Sequence, residues 1–188
     1  MKAIESRPVS YSITTITELM IPSYANFGGK IHGGLILSLM DKVAYACAAK
    51  HAGGYCVTVS MNGVDFLAPV EVGDLVSLIA SVNYVGRSSM VIGIKVVSEN
   101  VVTGEKTHTN SSYLTMVAKD ENGKPRVVPQ LVLETKKEVR RFMEAKKRRD
   151  FIKKFRANLD ANKLKEDEAV ANLNELSEER CCIKLIKE

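Results

Sequence analysis

Residues 33–49 read GGLILSLMDKVAYACAA, and Asp41 and the lysine after it are the only charged residues among them. A helix that is apolar on nearly every side is a buried helix, and Gly53 is placed to end it. The stretch therefore predicts a central core helix over residues 33–51. Because a buried carboxylate is costly unless it is paired, hydrogen-bonded or neutralised, Asp41 is either a structural acid, paired with a neighbouring lysine or capping a backbone group, or a functional residue.

The loop before this helix is polar and rich in glycine, and residues 26–34 read NFGGKIHGG. An amide, a histidine and a helix N-terminus together resemble a site for an anion or an oxyanion, because the first N–H groups of a helix are unsatisfied and the helix dipole favours negative charge. We expect the N–H groups of Gly33 and Gly34 to stabilise such a charge. For His32, a structural role in orienting the loop is at least as well supported as an acid–base role.

Segments rich in β-branched residues lie on both sides of the helix. We expect a bulge after Gly63, where the apolar alternation changes phase, and a tight hairpin turn at residues 86–89. One helix followed by antiparallel strands, without βαβ alternation, predicts an α+β fold with the helix lying against a curled sheet. The predicted strands cover residues 10–20, 57–62, 75–85, 90–98 and 107–119.

The composition is that of a globular chain: 188 residues, 45% hydrophobic and 26% charged, which suits one domain plus an extension. It contains no apolar run of about 18 residues, and the N-terminus lacks the apolar stretch of a secretory signal. We therefore expect a cytoplasmic protein without stable membrane insertion. Cysteine spacing indicates neither a metal site nor a disulfide framework; the cysteines are Cys47, Cys56, Cys181 and Cys182.

Several motifs, taken in this order over residues 10–130, resemble those of hotdog-fold acyl-CoA thioesterases, in particular the acyl-CoA hydrolases of the cytosolic and bacterial type. The pattern is specific because it extends over about two thirds of the chain. The motifs are Asn26-x-x-Gly29-x-x-His32-Gly33-Gly34 with Asp41, Val57-Thr58-Val59-Ser60, Phe66-x-x-Pro69-Val70 with Gly73-Asp74, and Val85-Gly86-Arg87-Ser88-Ser89-Met90.

The resemblance implies a hotdog fold, in which a curled antiparallel sheet wraps a central helix, and a homodimer that assembles further into a trimer of dimers. Active sites would lie at the dimer interface, where Asp41 of one subunit and Asn26 of the other face a single thioester. Asp41 would be a general base for water or a direct nucleophile, with the N–H of Gly34 completing the catalytic set. Contacts with substrate or CoA are implied for His32, Gly33, Thr58, Ser60, Gly86, Arg87, Ser88 and Ser89.

The predicted function is hydrolysis of fatty acyl-CoA to a free fatty acid and coenzyme A, without a metal or any other cofactor. The alternative is a non-catalytic acyl-CoA sensor on the same fold, but the presence of both Asn26 and Asp41 favours the enzyme. A hotdog dehydratase or hydratase would use a catalytic histidine paired with an acid, whereas His32 lies in the thioesterase pattern.

The chain after Pro129 has a different character. Helical spacing over residues 133–159 is followed by a second, acidic helical stretch over residues 164–176, and of the net charge of +5 the segment 134–156 alone contributes +7. We predict a hotdog domain over residues 1–130 and a charged helical extension over residues 131–188. The basic run is typical of a solvated helix face, and its phenylalanines fit helix packing better than base stacking, so we expect no nucleic-acid binding.

Overall fold

A computed structural model describes residues 5–173, 180 and 181. It confirms the predicted mixture of one long central helix, a set of antiparallel strands and a C-terminal helix. A short 3₁₀ turn lies within the loop that leads to the central helix. In chain order the elements are β1 (Ser6–Pro8), α1 (Val9–Ser12), β2 (Thr14–Leu19), α2 (Gly33–Ala52), β3 (Cys56–Asn62), β4 (Asp74–Val85), β5 (Ser89–Asn100), β6 (Lys106–Ala118), β7 (Gln130–Val132), α3 (Lys136–Ala161) and α4 (Glu166–Ala171).

Five strands form one antiparallel sheet in the order β2-β4-β5-β6-β3, so β2 and β3 are its edges. The helix α2 packs against all five strands. On the inner face of the sheet, Val82, Ile92 and Leu114 are paired in one row and completely buried. This arrangement confirms the predicted α+β hotdog architecture, with the core between α2 and the sheet.

The prediction that α2 is buried on nearly every side is wrong. Met40, Val43 and Cys47 on one face are completely buried against the sheet, whereas Asp41 and Tyr45 on the opposite face are exposed. A single sheet can cover only one face of a helix, and α2 has more apolar positions than this sheet covers. In one chain, Asp41 is therefore an exposed carboxylate and not a buried one.

The C-terminal end of α2 is held by Gly53 and by Arg7 from the N-terminal strand, and the bounds of the helix agree with the predicted range to within one residue. Gly53 ends the helix in the left-handed conformation at φ 66°, as its lack of a side chain allows. Arg7 Nη1 donates to the carbonyls of Lys50 at 2.8 Å and His51 at 2.9 Å. Burial lowers the pKa of His51, whose ring is completely enclosed.

Three local features differ from the predictions. The first long strand begins at Thr14 because one helical turn, α1, follows Pro8. The bulge lies between Thr58 and Ser60, where the pairing with β6 shifts, so the bulge predicted after Gly63 is wrong. The sequence also did not predict the short parallel pair β1–β7, whose three-residue strands are too brief to give an alternating pattern.

The chain divides into two compact units, residues 1–147 and 148–188. In the first unit, Phe142 of α3 packs on Tyr84 with ring centroids 4.9 Å apart. In the second, the rings of Phe151 and Phe155 stack at 6.5 Å, and α4 lies inside the predicted acidic helical stretch, of which residues 174–176 are outside the described part. Among the described residues, no helix is long and apolar enough to cross a membrane.

Candidate active site

The structure brings Asp41 and Thr58 together. Asp41 lies in the third turn of α2, and Thr58 lies on β3 directly before the bulge. Thr58 Oγ1 donates to Asp41 Oδ1 at 2.6 Å and also lies 3.2 Å from the sulfur of the completely buried Met116. Thr58 on the neighbouring strand thus orients the carboxylate, and the face of α2 that carries Asp41 is exposed. The sequence indicated both residues but not this hydrogen bond.

The start of α2 is capped by His32. Its Nδ1 accepts a hydrogen bond from the Gly34 N–H at 2.9 Å, and a Cβ added at Gly34 would lie 2.9 Å from the imidazole. The structural interpretation of His32 therefore agrees with the geometry. The expectation that the Gly34 N–H is unsatisfied is wrong for the single chain, and an oxyanion at this N–H would have to displace or share the His32 acceptor.

Asn26 organises the loop that precedes α2. Its Oδ1 accepts from the N–H groups of Gly28 at 2.9 Å and Lys30 at 3.2 Å, and its own N–H donates to the Lys30 carbonyl at 2.7 Å. The amide nitrogen Nδ2 has no partner within the described part of the chain, so it remains a donor. It borders a cleft of about 440 Å³ that is lined by Asn26, Lys30, Ile31, Gly33, Ile36 and residues 66–70.

Phe66 lines this cleft. The sequence indicated Phe66 only as part of a motif. A Cβ added at Gly33 would lie 3.2 Å from the Phe66 ring, so the glycine permits the aromatic side chain to pack against the start of α2. Half of Phe66 is nevertheless exposed. An exposed aromatic ring beside a helix N-terminus is a surface that an acyl or pantetheine group could cover.

Within one chain, these residues form two separate groups. Asp41 is seven residues beyond Gly34, which at 1.5 Å per residue places it about 10 Å along the helix from the N-terminal N–H groups. No hydrogen bond joins Asn26 to Asp41, both of which are described in full. A carboxylate and a donor that act on one carbonyl must both lie within about 3 Å of it, so Asp41 and the Gly34 N–H of the same chain do not act on one carbonyl.

The turn at residues 86–89 is confirmed as a tight hairpin between β4 and β5. Gly86 N–H donates to the Ser89 carbonyl at 2.7 Å, and the Ser88 and Arg87 carbonyls accept from Ala118 at 2.9 Å and from Val128 at 3.0 Å. Arg87 is exposed. The turn lies at the same end of the sheet as Thr58, because Thr58 pairs with Met116 and Met116 pairs with Met90, which directly follows the turn. Ser60 lies across the bulge from Thr58 and is half-buried.

The buried cysteines do not belong to the site. Cys47 is completely enclosed in α2, and burial raises the pKa of its thiol to about 12. Burial also raises the pKa of Cys56. Since the thiolate is the reactive form of cysteine, both residues act as small core side chains, as the sequence predicted for Cys47.

Comparison with known proteins agrees with this fold. Residues 28–105 match the family model of the Thioesterase superfamily. The chain is 48% identical over 132 residues to Protein VdlD of Helicobacter pylori, which covers 70% of this chain and 75% of that protein. It is 37% identical over 172 residues to an uncharacterized acyl-CoA thioester hydrolase, YkhA, of Bacillus subtilis, which covers 92% of this chain and 95% of that protein.

Among solved structures, an apo-hexameric acyl-CoA thioesterase superposes with a TM-score of 0.80 at 43% identity, over 82% of this chain and 99% of that chain. The match therefore includes the whole hotdog unit and is not limited to isolated motifs. The chain belongs to the acyl-CoA thioester hydrolases of the thioesterase superfamily, with the hotdog fold.

Proposed function

We propose that this protein hydrolyses the thioester of acyl-CoA, releasing a free fatty acid and coenzyme A. The observation that carries the proposal is the Asp41 carboxylate, held by Thr58 at 2.6 Å on the open face of α2. Family membership supports the substrate class, since the similar proteins named above include acyl-CoA thioester hydrolases. A sensor would need no such oriented carboxylate, and nothing in the site favours that alternative.

The protein would act as a homo-oligomer whose subunits share active sites. The hexameric state of a similar thioesterase supports the oligomer, and we infer a trimer of dimers. The distance of about 10 Å along α2 between Asp41 and the N–H groups at the helix start supports a site that takes one group from each subunit. Further support comes from large apolar side chains that are exposed on α2, directly before β3 and on β3, which is typical of an interface; they are Tyr45, Tyr55 and Val59.

The chemistry requires only water as a co-reactant. In one route, Asp41 takes a proton from water as the water oxygen bonds to the carbonyl carbon; in the other, an Asp41 oxygen attacks the carbonyl carbon and water later hydrolyses the resulting anhydride. In both routes the carbon–sulfur bond breaks and the CoA sulfur leaves as a thiolate that is then protonated. The Asn26 Nδ2 would polarise the carbonyl or position the water.

The hairpin at residues 86–89 would hold a CoA phosphate. The exposed guanidinium of Arg87 suits bidentate contact with phosphate oxygens, and the hydroxyls of Ser88 and Ser89 add donors. Binding energy from the CoA portion would then orient the thioester against Asp41. His32 and Gly33 would border the acyl end of the substrate, beside the cleft at Phe66.

Release of free CoA tests the proposed activity. The purified protein is incubated with butyryl-, octanoyl- and palmitoyl-CoA, and the liberated thiol is measured with a thiol reagent. We expect release from at least one substrate well above the spontaneous rate, and the profile will give the chain-length preference. Acyl-CoA binding without CoA release would assign the protein to the sensor class.

Substitution of Thr58 is expected to lower kcat by an intermediate amount. Thr58→Val removes the hydroxyl that donates to Asp41 but keeps the shape of the side chain, and a hydrogen bond to a charged group contributes about 1.5–3 kcal/mol. We expect kcat to fall by roughly 10- to 100-fold, with a smaller change in KM, while Thr58→Ser retains most activity. Steady-state kinetics of the two variants decide this, and a Thr58→Val enzyme with the wild-type kcat would exclude the role.

A cytoplasmic location is part of this proposal. The thiols of Cys47, Cys56 and Cys181 are free, which is the usual state of cysteines in a reducing compartment.

A further inference from the structure

A second cleft lies on the outer face of the sheet, away from α2 and Asp41. Ser81, Gly93 and Tyr113 are paired in one row across β4, β5 and β6 and point to this face, since their neighbours along each strand point into the core. The first turns of α3 lie over the same surface. Together they enclose about 540 Å³, and all of the lining residues belong to the first compact unit.

The floor of this outer cleft carries the side-chain amide of Asn83. Asn83 is only 7% exposed, and its Oδ1 accepts from Ser81 Oγ at 3.0 Å. Its Nδ2 lies directly over Gly93, because a Cβ added at Gly93 would be 2.2 Å from that nitrogen. No residue in the described part of the chain accepts from Nδ2. The nitrogen is not among the fully enclosed donors that lack a partner, so it is open to the cleft and is able to donate to a ligand there.

The walls of the outer cleft carry an excess of positive charge. Lys95 on β5 and Lys137, Arg140 and Arg141 on α3 line it, against one carboxylate, Glu144. Arg140 is paired with Glu144 at 2.6 Å. The other three cations form no direct ion pair with any described residue, although the charge of Arg141 also helps to lower the pKa of Glu138. Like charges gathered around one cavity repel each other, and an anion bound among them would remove that repulsion.

We propose that the outer cleft binds a phosphate-bearing small molecule, at a site separate from the acyl-CoA site. Three cations without a direct ion pair suit a diphosphate, guanidinium groups suit phosphate oxygens, and the Asn83 amide supplies a neutral donor at the floor. The volume of about 540 Å³ is within the range of small-molecule sites. The sheet lies between this cleft and Asp41, so the ligand is not a substrate of the same catalytic group.

Titration calorimetry of the full chain with sodium pyrophosphate at low ionic strength tests the site. We expect saturable binding to the wild type, and the variant Lys137→Gln/Arg141→Gln to bind at least about tenfold more weakly. The matched control is Lys146→Gln/Lys147→Gln, which removes two exposed cations from the same helix that do not line the cleft. That control is expected to bind with the wild-type affinity.

Asn83→Asp tests the floor independently of the walls. Aspartate has nearly the same shape and can still accept from Ser81, but it replaces the donor with a negative charge. We expect pyrophosphate binding to be lost, while the thermal unfolding midpoint is unchanged or raised because the nearby cations favour the new carboxylate. Retained binding in this variant would overturn the proposal.

Two further comparisons identify the binding site and the class of ligand. Arg87→Gln reports on the hairpin: loss of pyrophosphate binding in Arg87→Gln, together with full binding in Lys137→Gln/Arg141→Gln, would assign the ligand to the acyl-CoA site and refute the outer cleft. Adenosine 5′-diphosphate that binds more tightly than pyrophosphate would identify a nucleotide as the ligand class, and equal affinity would identify the phosphate groups alone. A wild-type protein that binds neither compound also refutes the site.

Discussion

Asp41→Asn is expected to lower kcat for acyl-CoA hydrolysis by about 10²- to 10⁴-fold, the contribution of a positioned base, with little change in KM. Asparagine keeps the size of the side chain, and its Oδ1 can still accept the hydrogen bond from Thr58 that holds the carboxylate at 2.6 Å. The substitution therefore removes basicity and nucleophilicity without removing the contact. Asp41 is exposed in the single chain, so we expect no loss of folding stability.

The control for this variant is Asp160→Asn, which removes a carboxylate from an exposed position of α3. It should retain the wild-type kcat and KM. Size-exclusion chromatography and circular dichroism should show the same oligomer and fold for both variants. An Asp41→Asn protein with more than a tenth of the wild-type kcat would show that this carboxylate is not the catalytic group.

Asn26 is the second position where we expect a large effect. Its Oδ1 holds the loop through Gly28 and Lys30, whereas Nδ2 is the donor left for the substrate. Removing one such donor from an oxyanion site costs about 10²- to 10³-fold in kcat. Asn26→Asp keeps the loop acceptor and replaces the donor with a negatively charged oxygen, so we expect a loss of kcat at least this large with a nearly unchanged unfolding midpoint.

Asn26→Ala removes both functions, and we expect it to lose activity to a similar degree and to destabilise the loop as well. The matched control is Asn122→Ala in the turn after β6. There the backbone N–H of Asn122, and not its side chain, donates to Asp120 Oδ1. Kinetics and thermal unfolding of the three variants separate the two roles. If Asn26→Asp hydrolysed acyl-CoA at the wild-type rate, the loop function alone would account for Asn26.

Local signals in the sequence predicted most of the fold. The apolar run and Gly53 predicted α2 to within one residue, because a helix end is determined by a glycine in a left-handed conformation. The hairpin at residues 86–89 followed from its turn chemistry, and the strands from their alternation. The bulge at Thr58 was not predictable, since the register of β3 depends on pairing with β6, which is distant in sequence.

Features that depend on tertiary contact were predicted less well. The composition of α2 indicated burial, but one sheet covers one face, so Asp41 is open in the single chain. The motif indicated Asp41 and Thr58 separately, and only the fold places them in contact. The outer cleft could not be predicted at all, because Asn83, Lys95 and Arg141 converge from two strands and a helix.

The most direct test of the account is complementation between Asp41→Asn and Asn26→Ala subunits, co-expressed with different affinity tags. If each site takes Asp41 from one subunit and Asn26 from the other, a mixed dimer has one site with both substitutions and one with neither. Random pairing makes half of the dimers mixed, so we expect about one quarter of the wild-type rate of CoA release from two inactive parents. Purified mixed dimers that remain as inactive as the parents would contradict the shared active site.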